Sequence, residues 1–321
     1  MRTEYFTDLI TRKPEFSGYS LRRSDKFSQN ELFYLTSEGE PKSKSYYLKI
    51  FPNKLDQFPE DSPIKKAERE LTAAQLIRDE LGLYVPASTY LGQDESGDTA
   101  ILQEEIPGID LDQLVRQPGT VSVDNLMHIV KQAGISLARI HGLKSASYGD
   151  LLLNYPERYS SWLECFTVDV RKRLSRGMRL GILNQKHADY FEERLGSSAL
   201  NDNDSVPTLC HNDFGFKNII IDMGTTEIVG LIDFEDARYW IPEWDLTRVN
   251  AALEYPSSNL DLRDEFLDGY VSHHGGDTSH LMKQIEYYKP FESLNYWIWG
   301  WMLPLHKENI VKDIVRVTKV H

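Results

Sequence analysis

The chain has 321 residues, enough for about two domains with sizeable cores, and its 40% hydrophobic and 26% charged residues exclude a disordered or fibrous protein. Lys and Arg total 36 against 49 Asp and Glu, a formal net charge of -13, which argues against a nucleic-acid surface and suits a cationic partner. Two cysteines, Cys165 and Cys210, stand far apart and exclude a disulfide framework or zinc ribbon, which fits a reducing, cytoplasmic setting. The first ten residues carry charges where a signal peptide needs an apolar run, and no stretch of ~18 apolar residues occurs, so no membrane partner is expected.

In chain order, short runs rich in Tyr, Leu, Ile and Phe at 18–23, 30–36, 45–51 and 99–104 read as strands between polar turns. One helix interrupts them over 64–81, with Ala67, Leu71, Ala74 and Ile77 on one face and Gly82 as its stop. After Ile106-Pro107-Gly108 the apolar spacing turns helical, over 123–141 and across 159–195. A polar stretch at 196–205 then leads into two strands, 219–222 and 227–233, around the turn 223–226. The expected architecture is α+β, with a β-rich N-terminal domain over 1–105 and a mostly helical C-terminal domain over 106–321 that includes a helical segment at 150–205.

The chemistry concentrates around residue 211, where His211-Asn212-Asp213 is followed by Asn218 at the mouth of one strand and by Asp233 at the end of its partner. Antiparallel pairing brings Asn218 and Asp233 to one end of the hairpin. An amide oxygen and a carboxylate facing one small volume suit Mg2+ that shares phosphate oxygens. Asp213, five residues before Asn218, stands near enough to orient a hydroxyl beside that metal. An isolated His-x-Asp is common, and it is the joint order and spacing that give this segment its meaning.

His-x-Asp, then Asn, then strand, turn, strand and Asp, followed by Pro242-Glu243-Trp244-Asp245-Leu246, resembles the aminoglycoside phosphotransferase and choline kinase branch of the protein-kinase-like superfamily. The resemblance implies a two-lobed kinase-like fold and transfer of a phosphoryl group from ATP or GTP to an alcohol. It makes Asp213 the base, His211 a brace of the loop, and Asn218 and Asp233 the Mg2+ ligands. It also implies that Lys49, in its β-like run, binds the nucleotide phosphates and is fixed by Glu70, with Glu68 as the alternative. Ser28, in a candidate lid over 24–30, offers a phosphate contact, and the stretch through Glu104 to Ile106 stands where the hinge would bind the base. His141 and Asp245 read as scaffold for the catalytic loop. Asn212, Phe214 and Glu235 depart from the usual family residues and bear on specificity more than on reaction type.

No Gly-x-Gly-x-x-Gly and no Walker lysine occur, which excludes Rossmann and P-loop readings. Beyond Asp233, acids such as Glu243, Glu254, Asp261, Asp268, Glu286 and Glu292 are interleaved with Trp240, Trp244, Tyr255, Trp297 and Trp299. Carboxylates beside aromatic faces suit an amino-substituted sugar, so the expected acceptor is a small, hydroxyl-bearing, cationic molecule of the aminoglycoside antibiotic kind. A metabolic kinase of choline, homoserine or a sugar shares every motif, and an inactive nucleotide-binding module is the further alternative.

Overall fold

Strands from the first hundred residues assemble because Leu35, Leu48, Ile50, Ala100 and Leu102 need a common apolar layer, and all five are buried together. The structure, a computed structural model, describes residues 2–24, 30–37, 44–54, 62–117, 119–152, 155–196, 206–253, 262–301 and 307–319. Its backbone contacts divide the chain into two units, Met1–Ile129 with Phe216–Ala237, and Val130–Gly215 with Arg238–His321.

In the first unit β1 (Tyr19–Arg23), β2 (Glu31–Ser37), β3 (Tyr46–Phe51), β4 (Ser88–Gln93) and β5 (Thr99–Glu104) form an antiparallel sheet in the order β1-β2-β3-β5-β4. The register sets Lys49 opposite Leu32 on one side and Ile101 on the other. β4 was not foreseen, since Ser-Thr-Tyr-Leu-Gly-Gln is a mostly exposed edge strand with an irregularity between Tyr90 and Gly92. Also unforeseen is α1 (Arg2–Thr11), whose apolar side is little more than Phe6 and Ile10, both buried in the layer of the sheet. Helix α2 (Pro63–Leu81) matches its expected span. Ser62 caps it by accepting from the Lys65 N–H, Pro63 opens it, and Gly82 closes it in the left-handed region at φ 61°. Ala67 of α2 packs on Phe51 and Ile101.

The same unit holds β6 (Ile109–Asp110), α3 (Leu111–Arg116), a 3-10 turn at Phe216–Asn218, and the hairpin of β10 (Ile219–Asp222) and β11 (Glu227–Leu231), in the sheet order β11-β10-β6. Asp222 ties the hairpin turn by accepting from the Gly224 and Thr225 N–H groups.

The second unit is helical around a small antiparallel sheet. Strands β7 (Tyr148–Asp150), β8 (Arg158–Tyr159), β9 (Thr208–Cys210) and β12 (Arg238–Trp240) run in the order β8-β7-β12-β9. At two or three residues each, they leave no alternation to detect. Helix α4 (Val123–Ile140) ends in this unit, and the expected helical stretch at 159–195 is two helices, α5 (Trp162–Arg179) and α6 (Gln185–Leu195). The chain breaks between them at Gly181, with φ 71°, and restarts at the capping box of Asn184 and His187. Helices α7 (Pro242–Leu253), α8 (Leu262–His274), α9 (Thr278–Trp301) and α10 (Lys307–Thr318) follow. Trp162, Phe166, Trp240, Trp244, Phe291 and Trp297 fill the core.

Helices α4 and α8 cross where neither carries a side chain. A Cβ on Gly134 would lie 2.1 Å from the Phe266 carbonyl oxygen, and one on Gly269 would lie 2.1 Å from that of Lys131. Alanine normally favours a helix over glycine by ~1 kcal/mol, but a backbone clash cannot be relieved by a rotamer. Gly134→Ala is therefore expected to destabilise this unit by about 1–3 kcal/mol. Urea unfolding followed by tryptophan fluorescence checks this, because all six tryptophans lie in the unit.

Candidate active site

Strand β3 carries its lysine inward, and Lys49 is only 3% exposed. An ammonium group buried to that degree must be paired, and three carboxylates meet it. Lys49 Nζ lies 2.9 Å from Glu70 Oε2, 2.5 Å from Asp233 Oδ1 and 2.8 Å from Glu235 Oε2. Of the two acids considered in α2, it is thus Glu70 that meets the lysine, and Gln103 Nε2 donates to the other oxygen of Glu70 at 2.9 Å. Burial works against the charge on Lys49, yet Asp233, Glu235 and Glu70 together hold its pKa well above the ordinary lysine range.

Glu235 is the hub that sequence reasoning passed over as a departure. It accepts from Lys66 Nζ at 3.0 Å and from Asn30 Nδ2 at 2.5 Å as well as pairing with Lys49. Burial alone would raise its pKa, but the ammonium groups of Lys49 and Lys66 win and hold it far below the usual carboxylate range. Lys66 at one turn's spacing from Glu70 was a detectable signal, since i and i+4 share a helix face. Among the described residues, the ammonium groups of Lys49 and Lys66 meet the carboxylates of Glu70, Asp233 and Glu235, one negative charge in excess over these five groups. Asp233 is its most accessible member, half-buried at 32%.

The hairpin sets the rest. Ile232 N–H donates to the Asn218 carbonyl at 3.0 Å, so Asn218 and Asp233 stand at the same end of β10 and β11, as their spacing predicts. Asp233 adopts φ 71°, a left-handed conformation that Asp tolerates better than most residues. Carboxylate oxygens of Glu70, Asp233 and Glu235 all lie within 4.8 Å of one another.

In the second unit, Asp245 holds the His211–Asp213 loop by its backbone. It is fully buried and accepts from the N–H of His211 at 2.7 Å and of Asn212 at 2.8 Å. His141 Nε2 lies 3.2 Å from the same carboxylate, and its Nδ1 lies 2.8 Å from the Tyr270 hydroxyl. His211 Nδ1 in turn accepts from the Asp213 N–H at 3.3 Å. Arg248 Nη2 donates to Asp213 Oδ1 at 2.7 Å, and its other arm lies 3.4 Å from Glu292. Arg248 was missed, although it follows Asp245 by three residues on one helix. His141, Cys210 and Asp245 also come within 4.8 Å of one another. Burial pushes the Cys210 thiol well above its ordinary pKa and its Sγ donates to the Ile241 carbonyl, so this group is structural.

Ser28 lies outside the described residues, as do Glu254, Tyr255 and Asp261. Glu104 ends β5, its N–H donating to the Ala87 carbonyl and its carboxylate pairing with Lys44, and Ile106 follows two residues on. Trp240, Trp244 and Trp297, read as acceptor-stacking surfaces, are instead core residues with at most 1% exposure. Their spacing gave no means of separating a pocket wall from a core.

The Glu235 cluster has a pH signature. Its folded pKa lies below the ordinary 4.5, so its contribution to stability is complete above that value and is lost as the pH falls towards the folded pKa. Glu235→Gln should lower the melting temperature at neutral pH and flatten the loss of stability below about pH 5, as read by thermal melts from pH 3 to 7.

Three solved structures are similar to this chain along nearly its whole length. The ADP-bound aminoglycoside phosphotransferase APH(2'')-Ib has a TM-score of 0.66 at 16% identity, covering 98% of this chain and 96% of that one. The streptomycin-ATP-APH(2'')-IIa ternary complex has 0.65 at 17%, covering 100% and 97%. Aminoglycoside phosphotransferase APH(4)-Ia has 0.61 at 16%, covering 99% of each. At these identities the likeness shows the protein-kinase-like fold. A search of the curated proteins finds no match by sequence. The profile of the phosphotransferase enzyme family matches residues 25–280, four-fifths of the chain, and the protein therefore belongs to that family and is a phosphotransferase.

Proposed function

We propose that the protein is a small-molecule kinase that moves the γ-phosphoryl group of ATP or GTP to a hydroxyl of an aminoglycoside-like acceptor. The observation that carries this reading is the buried contact of Lys49 with both Glu70 and Asp233, which joins the three residue types a phosphoryl-donor site needs in one place. In this reading Lys49 binds the donor phosphates and Glu70 orients it. Ser28 and the Glu104–Ile106 stretch are assigned to the nucleotide as well, the latter through backbone groups.

Asn218 and Asp233 would hold Mg2+. An amide and a carboxylate oxygen at one hairpin end, in a cluster with excess negative charge, are the hard donors that ion takes. Bound there, Mg2+ neutralises charge on the phosphates. Asp213 orients the acceptor hydroxyl and takes its proton as the new oxygen–phosphorus bond forms. The bond from the γ-phosphorus to the bridging oxygen breaks, and the nucleoside diphosphate leaves with that electron pair. His211 braces the loop by accepting from the Asp213 N–H.

Support for the acceptor class comes from the net charge of -13 and from the similar structures. Those contain gentamicin or streptomycin with APH(2'')-IIa and hygromycin B with APH(4)-Ia. Among the described residues no helix is long and apolar enough to cross a membrane. With a nucleoside triphosphate as donor, this reading assigns the reaction to the cytoplasm, where phosphorylating an antibiotic would be a resistance activity.

The test is coupled turnover of ATP and GTP with gentamicin, streptomycin, hygromycin B, choline and homoserine. Stimulation by an aminoglycoside is expected. Asp213→Asn should lower kcat by about 10²- to 10⁴-fold with nucleotide binding retained. Turnover stimulated only by choline or homoserine would replace the acceptor class, and none with any alcohol would overturn the kinase reading.

A further inference from the structure

Two separate grips hold the catalytic loop, and both come from α7. Asp245 binds the backbone of His211 and Asn212. Three residues later on the same helix, Arg248 binds the side chain of Asp213. The first grip fixes where the loop runs through the backbone of His211 and Asn212, and the second acts on the Asp213 carboxylate itself. A general base has to present an oxygen within a few tenths of an ångström, and a misplacement of about 1 Å costs roughly 10²-fold in rate.

We propose that Arg248 is a positioning residue for Asp213 and that Glu292 locks it in place. The inference rests on the assignment of Asp213 as the base. Its geometry is that of a planar fork used at both ends. Nη2 lies 2.7 Å from Asp213 Oδ1, and Nη1 lies 3.4 Å from Glu292. The three side chains are 24%, 20% and 14% exposed for Asp213, Arg248 and Glu292, so the link lies mostly out of water, where charge-assisted contacts are directional and little screened. Glu292 comes from α9 and Arg248 from α7, and these two helices pack along each other. The guanidinium is therefore held between a rigid helix and the loop it orients. Asn295 also hydrogen-bonds Glu292, whose burial pushes its carboxyl above the ordinary carboxylate range despite Arg248 and Arg173 nearby. Lysine would supply one point charge and no fork, so the role needs arginine.

Steady-state kinetics with MgATP and the most active of gentamicin, streptomycin and hygromycin B test it. Arg248→Ala should lower kcat by about 10²-fold while the KM of ATP and of the acceptor stay within about threefold, and Arg248→Lys should recover about a tenth of the wild-type rate. In the Asp213→Asn background Arg248→Ala should cost nothing further, because its effect passes through the carboxylate that is already gone. Should Arg248→Ala fail to fold with Glu292 deprived of its nearest cation, Arg248→Gln with Glu292→Gln removes both charges together and carries the same expectation of low kcat in a protein that melts as wild type does. A kcat within about threefold of wild type in either variant, a loss confined to KM, or a loss that multiplies with Asp213→Asn overturns the inference and leaves the function intact. Wild-type protein that phosphorylates none of the three acceptors, or an Asp213→Asn enzyme of full activity, overturns the functional reading and this inference with it.

Discussion

A lysine ammonium taken out of water is the constraint around which the first unit of this protein is built. β3 buries Lys49 because its strand neighbours are apolar, and a buried ammonium without partners would simply lose its proton. Here it keeps its charge because Glu70 arrives from α2 and Asp233 and Glu235 from the chain after β11. The ion cluster therefore ties a strand, a helix and the end of a hairpin into one unit although more than 180 residues of sequence separate Lys49 from Asp233. Charges so placed contribute less to net stability than to uniqueness of arrangement, since desolvation offsets much of their attraction. The arrangement leaves the half-buried carboxylate of Asp233 beside a fixed cation.

A second buried charge does the same for the His211–Asp213 loop. The Asp245 carboxylate accepts from two backbone N–H groups and meets His141, so the conformation of His211–Asp213 is set from behind the loop. Asn212 adopts φ 61° there, a conformation that asparagine takes with little cost. α7 thus serves as the loop's foundation. Its Pro242-Glu243-Trp244-Asp245-Leu246 opening combines core packing through Trp244 with the anchoring carboxylate.

Much of this was legible from residue order alone. Strands with several apolar residues, α2 with its proline start and glycine stop, and the Asn218-to-Asp233 hairpin stand within a residue or two of their expected bounds. What escaped has a common physical cause. β7, β8, β9 and β12 are too short for alternation to register, and the apolar face of α1 rests on two side chains. At the site, Lys49, Glu70 and Asp233 meet, and Asn218 stands at the Asp233 end of the hairpin; the spacing of Asn218 and Asp233 pointed to that placement, while Lys49 and Glu70 followed from the family resemblance. Glu235 and Asn30 join that cluster, and Arg248 joins Asp213, by three-dimensional proximity, and proximity between distant segments has no signature in a single sequence; Lys66 alone shares a helix face with Glu70. Tryptophans illustrate the reverse error, since an interleaving of Trp with acids reads equally as a stacking pocket or as a core, and the packing of Trp240 on Trp244 and Trp162 decides for the core.

The central claim is that the caged ammonium of Lys49 is a receptor for donor phosphates and not merely a structural charge. Titration calorimetry of ATP in the presence of Mg2+, on wild type and on Lys49→Met with unaltered circular dichroism, addresses it directly. Loss of a charge-assisted contact worth about 1.5–3 kcal/mol should weaken ATP binding at least about tenfold. A Lys49→Met protein that remains folded and binds ATP as tightly as wild type would contradict the account.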